Sequence, residues 1–88
     1  MQLPDTLDLK AAGPLRGMLM DARGAALSID ASGVQRLGGL CLQVLLSAEA
    51  TWATDGHPFV ISAASSAFAE GARRMGAHAL APDLIIQE

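Results

Sequence analysis

The stretch from Ala26 to Gly56, ALSIDASGVQRLGGLCLQVLLSAEATWATDG, constrains this chain more than any other. It opens with alternating apolar and polar residues, turns at Asp30-Ala31-Ser32-Gly33, and becomes a long apolar run at helical spacing. A strand passing through a glycine-bearing loop into a helix is an α/β signature. The spacing predicts a helix from Gly38 or Gly39 to about Asp55, with Gly56 as its left-handed cap and Pro58 where a helix cannot continue. Cys41, Leu45, Ala48 and Trp52 form one stripe of it, with Leu42, Leu46 and Ala53 alongside and Leu40 and Val44 widening the arc. Gln43, Ser47 and Thr54, flanked by Glu49 and Thr51, leave only a thin polar face. Such an arc is wider than one sheet normally covers.

The remaining elements fall around this unit. Gln2 to Leu7 reads as a short extended segment, with Pro4 placing it at an edge or a strand start. Asp8 offers cap chemistry ahead of a first helix, expected from about Ala12 to Gly24, with Leu15, Met18, Leu19 and Ala22 on its inward face. Ala26 to Asp30 is the central strand and Phe59 to Ser62 another. Ser65 or Ser66 caps a third helix that ends at Gly76, with Phe68, Ala72 and Met75 facing inward. Glu70 lies in its first turns and Arg73 and Arg74 at its far end, each where the helix dipole favours that sign of charge. Leu84-Ile85-Ile86 reads as a last strand or a packing tail. The order β-α-β-α-β-α, joined by right-handed crossovers, predicts a small, largely parallel or mixed sheet with helices mainly on one face. Residues 1–88 form one domain.

Composition narrows the function. Hydrophobic residues make up 51% of the chain and charged residues 17%, so apolar surface is expected to face a partner. A net charge of −3 without clustered bases argues against nucleic acid or an anionic membrane surface. The single Cys41 rules out an internal disulfide and a multi-cysteine zinc site. No apolar run is long enough to span a bilayer and no signal-peptide pattern opens the chain, so a soluble cytoplasmic domain is expected.

Candidate chemistry is sparse. Asp30 and Ser32 read as an acid beside a nucleophile or phosphoacceptor, but the same residues with Gly33 make an ordinary turn, and no base for Ser32 is in view. His57 and His78 each lack a second ligand at metal spacing. Gly38-Gly39 at a helix start resembles a phosphate cradle without the rest of any phosphate-binding motif. Cys41 sits in the apolar stripe as a small hydrophobe, and Trp52 as a packing residue or a partner hot spot. No nucleophile, base and orienting group come together, so a non-enzyme without cofactor or metal is expected.

At this point the order of short motifs resembles the STAS domain, the family of bacterial anti-sigma factor antagonists, over most of the chain. Leu7-Asp8-Leu9 followed by Ala12 and Leu15 resembles the family's LDL-x-x-A-x-x-L pattern, and Leu27-Ser28-Ile29-Asp30-Ala31-Ser32-Gly33-Val34 resembles its strand ending in DLSGV. Gly56-x-Pro58-Phe59 and Met75-Gly76 also fit. The resemblance implies a helix-flanked sheet that binds protein partners, often under control of serine phosphorylation. The family usually carries a further strand before its LDL strand; here only a few residues precede it, so an edge is either missing or supplied in a homodimer. The family's phosphoacceptor box aligns with Gly38-Gly39-Leu40-Cys41-Leu42, which puts Leu40 at the acceptor position.

The resemblance therefore implies a binding surface at Leu37, Gly38, Gly39, Leu40 and Gln43, with Asp30 and Ser32 nearby in the chain, and without the usual switch. Val34-Gln35-Arg36-Leu37 is similar to a stretch in the small STAS subunit of bacterial phospholipid-transport ABC complexes, which binds a transporter ATPase. The Leu-Cys-Leu-Gln-Val-Leu-Leu run is similar to STAS proteins found beside chemotaxis histidine kinases. An anti-sigma factor, a histidine kinase or a transporter ATPase are thus the partner classes implied. Three other readings stand beside this one: a phosphorylation switch moved to Ser32, a small-molecule or nucleotide sensor at the Gly38-Gly39 helix start, and a structural subunit held by its apolar faces.

Overall fold

The computed structural model describes residues 1–76; the expected Leu84-Ile85-Ile86 strand lies outside the described residues. Strand β1 is Thr6–Leu7, followed by a 3-10 turn at Leu9–Ala11 and helix α1 at Ala12–Asp21. Then come β2 (Leu27–Ala31), β3 (Arg36–Leu37), α2 (Gly39–Asp55), β4 (Phe59–Ala64) and α3 (Ser66–Arg74). β2 pairs with β4 and β1 with β3, and every pairing among the described residues is parallel. The N-terminal run joins the two pairs. Gln2 bridges Asp30, Leu3 N–H donates to Asp30 C=O at 2.9 Å, and Asp30 N–H donates to Met1 C=O at 2.7 Å. The strands therefore lie in the spatial order β3, β1 with its N-terminal extension, β2, β4, an α/β arrangement of small parallel sheets with three α-helices among the described residues.

The β2–β4 ladder separates its faces by the two-residue period of a strand. Ile29 pairs with Ile61 and Leu27 with Phe59 on the covered face, while Ser28 and Val60 pair on the exposed one. A register shift after Ile29 then brings Ala31 opposite Ala64. α2 lies on the covered face, where Trp52 meets Phe59 edge to face at 5.6 Å and donates its indole N–H to Ala25 C=O at 2.8 Å. α1 packs beside α2, which accounts for the wide apolar arc: the sheet takes one part and α1 another. The two helices are tied at their C-terminal ends by Arg23 and Asp55, 2.8 Å apart.

Several expectations are corrected. Arg36–Leu37 is a strand rather than loop, because Thr6–Leu7, distant in the chain, supplies its ladder. α1 ends at Asp21, and Ala22 to Gly24 form a turn in which Gly24 takes a φ of 101°. Met18 points outward, 42% exposed, because α1 has one packed side and Leu15 and Leu19 occupy it. Met75 is likewise 43% exposed rather than inward, since it is the C-cap of α3 and has left the helical face held by Phe68 and Ala72. Ala53 is exposed, outside the buried stripe of α2. Asp8 does cap, but it caps the 3-10 turn, its carboxylate accepting from Ala11 N–H at 3.1 Å.

Candidate functional site

The segment from β3 into α2 is built on a close backbone approach. Gly38 N–H donates to Leu7 C=O at 2.8 Å, and a Cβ at Gly38 would lie 3.0 Å from that same oxygen. Glycine leaves room for the two backbones to meet here, where a Cβ would require the neighbouring backbone to give by a few tenths of an ångström. Gly38 is the N-cap in an extended conformation and offers no side-chain cap; its C=O accepts from Leu42 N–H at 3.1 Å. The start of α2 is therefore capped by backbone alone, with nothing polar projecting over it from its own sequence.

What does project is apolar. Leu40 is 49% exposed on the first turn of α2, while its neighbours Cys41 and Leu42 are buried. Gln43 is exposed one turn on, and Leu37 is half-buried where it packs against Gly71 of α3. A Cβ at Gly39 would stand 3.8 Å from Met75 Sδ, so the exposed methionine at the end of α3 borders the site. Sequence reasoning missed Met75, because helical periodicity put it on the buried face. Cys41 is held inside, its Sγ donating to Asp8 C=O at 3.2 Å, and burial pushes its thiol pKa up. A buried, protonated thiol is a poor nucleophile.

Asp30 and Ser32 occupy a different turn, at the end of β2. The Asp30 carboxylate accepts from Ser32 N–H at 2.8 Å, and hydrogen bonds from Ser32 hold its pKa below the usual carboxylate value. The Ser32 residue itself is exposed. Leu37, Gly38, Gly39, Leu40 and Gln43 lie along one stretch from β3 into α2, while Asp30 and Ser32 belong to the turn that ends β2. The turn leads instead to α3, where Ser65 N–H donates to Ala31 C=O and the Ser65 hydroxyl caps Phe68 N–H at 3.0 Å while donating to Val34 C=O.

No cluster of three or more His, Cys, Asp and Glu able to hold a metal occurs among the described residues. His57 lies past the far end of α2, and His78 is outside the described residues. No helix among the described residues is long and apolar enough to cross a membrane.

A short parallel sheet with α2 laid on one face, and a glycine-bearing strand-to-helix junction presenting an apolar first turn, has the organisation of a STAS-type interaction module. One family model, described as "Mlab, STAS domain", matches residues 1–86, and the chain belongs to that family. Comparison with curated proteins and with solved structures gave no match. STAS domains are generally non-catalytic, and membership of the family supports a general regulatory or interaction module for this chain.

Proposed function

We propose that this protein is a non-catalytic bacterial docking module that binds a signalling protein through Leu37, Gly38, Gly39, Leu40 and the exposed side of α2 at Gln43. The observation that supports this reading is Leu40. A leucine half exposed at a helix start, beside two glycines and Met75, is a surface that gains free energy when a partner covers it. Leu40 also stands where the family's acceptor serine aligns, so docking is constitutive with respect to phosphorylation at that position. A side chain without a hydroxyl has no oxygen to accept a phosphoryl group. In this reading the protein works in the cytoplasm, in the manner of an anti-sigma factor antagonist or a chemotaxis-kinase-associated protein.

One observation favours a second partner class. Arg36–Leu37, within the stretch that resembles the small STAS subunit of phospholipid-transport ABC complexes, forms the strand that leads directly into the site. A transporter ATPase is the partner in that case, docked on the same surface.

Parallel affinity capture from native lysate with the wild type and Leu40→Asp, with the intact mass of each bait, tests both. The expected result is an anti-sigma factor, histidine kinase or transporter ATPase retained by unmodified wild-type bait and lost from a folded Leu40→Asp variant. Equal retention by the variant removes the surface from the proposal. A phosphate mapped to Ser32 would show that a switch operates at the β2 turn and that docking is not constitutive.

A further inference from the structure

A second surface lies between α1 and α2, and nothing in the reading above uses it. The helices lie side by side with their C-terminal ends tied by Arg23 and Asp55, leaving a groove of about 450 Å³. Its floor is sealed: Leu19, Ala48 and Trp52 are 3%, 7% and 2% exposed. Its wall is not. Met20 is 59% exposed and Val44 half-buried, so the groove offers apolar side chains above a closed floor.

Charge says what covers it. Asp55, on the same side of α2, is already engaged by Arg23 through two hydrogen bonds of 2.8 and 3.2 Å. Arg16, on the opposite wall, has no carboxylate partner among the described residues. The groove is thus basic at its Arg16 end on a chain whose net charge is −3. Ser47 and Thr51 on the α2 side are uncharged and add no negative charge to balance it. A valley between two side-by-side helices accepts a third helix by ridge-and-groove packing. A small ligand would gain little, because the large floor side chains are already out of water.

We infer that the α1–α2 groove docks an amphipathic helical segment of a partner protein, its apolar side on Met20 and Val44 and its carboxylates toward Arg16. Leu40 is not among the residues that line this groove.

The test uses the full chain and two amidated peptides of about 14 residues, long enough for three to four helical turns. Both carry leucines at helical spacing; one has glutamates along one flank and its twin has lysines there. Heteronuclear NMR should show saturable shifts with the glutamate peptide, confined to amides of Arg16–Arg23 and Val44–Trp52, and little response to the lysine peptide. Arg16→Glu, an exposed change that leaves the core alone, should weaken the glutamate peptide about fivefold, as expected for a partly exposed ion pair reversed in sign, and admit the lysine peptide. Leu40→Asp should bind the glutamate peptide as the wild type does. Equal response to both peptides, shifts centred on Leu37–Gln43, or no effect of Arg16→Glu would overturn the inference. So would groove shifts that grow with protein concentration alone, which would give the surface to a second copy of the chain.

Discussion

Gly38 shows how a single atom decides a site. Its φ of −86° and ψ of 159° suit any residue, so the reason for glycine here is space and not backbone conformation. An added Cβ meets Leu7 C=O at 3.0 Å, and that oxygen belongs to the ladder between β1 and β3 and cannot step aside alone. Gly17, in the middle of α1, is the opposite case, with nothing within 4 Å of an added Cβ. Gly17→Ala should stabilise the protein by roughly 0.5–1 kcal/mol, because glycine in a helix interior costs about that much. Gly38→Ala gains the same kind of unfolded-state benefit but must displace backbone, so it should destabilise by about 1–3 kcal/mol. Urea unfolding followed by Trp52 emission measures both, and a stabilising Gly38→Ala would mean the β1–α2 approach is looser than it looks.

At the scale of elements, α2 carries the fold. Trp52 joins three of its parts: α2 itself, Phe59 of β4 through the edge-to-face contact, and the Ala25 carbonyl ahead of β2 through its indole N–H. Trp52→Ala removes the ring with its hydrogen bond to Ala25 and opens a cavity, and should cost about 3–5 kcal/mol. For a domain of this size that is a large part of its whole stability, so the far-UV circular dichroism melt should fall steeply or vanish. A loss of under about 1 kcal/mol would mean that the core closes around the gap.

The bounds of α2 were legible from the sequence, because Gly56 and Pro58 end a helix by local chemistry and the apolar stripe needs no tertiary knowledge. β3 was not. Two residues have no readable period, and what makes Arg36–Leu37 a strand is Thr6–Leu7, some thirty positions away. Met18 and Met75 were misplaced for a related reason: helical spacing says which residues share a face, and only the packed neighbours say how much of that face is covered. The proposed Leu37–Gln43 surface is contiguous in the chain and so could be proposed from sequence, whereas the groove between α1 and α2 exists only once two separate helices lie together.

At the scale of the whole molecule, acid sensitivity follows from two carboxylates at opposite places in the fold. Asp30 is held below its ordinary pKa first by the Ser32 side chain and then by the Ser32 backbone N–H; Asp55 is held down first by its hydrogen bond to Arg23. Both folded values lie below the unfolded one, so the unfolded chain binds protons first as pH falls. Their contribution is therefore fully present above the unfolded value of about 3.9 and is lost as pH drops through the lowered folded values. Both groups are in contact with solvent, so the effect is modest and the Arg23–Asp55 part weakens in salt. The Asp30→Asn, Asp55→Asn double variant keeps the shapes and removes both titrations. Its Tm should fall less than that of the wild type between about pH 5 and pH 3, the two curves converging at the acid end. Adding salt should shrink the gap only in the share due to Asp55, because the hydrogen bonds within the Asp30 turn are local and little screened. Parallel curves across that range would show that neither carboxylate gains anything from the fold, and that acid unfolding here is carried by other groups.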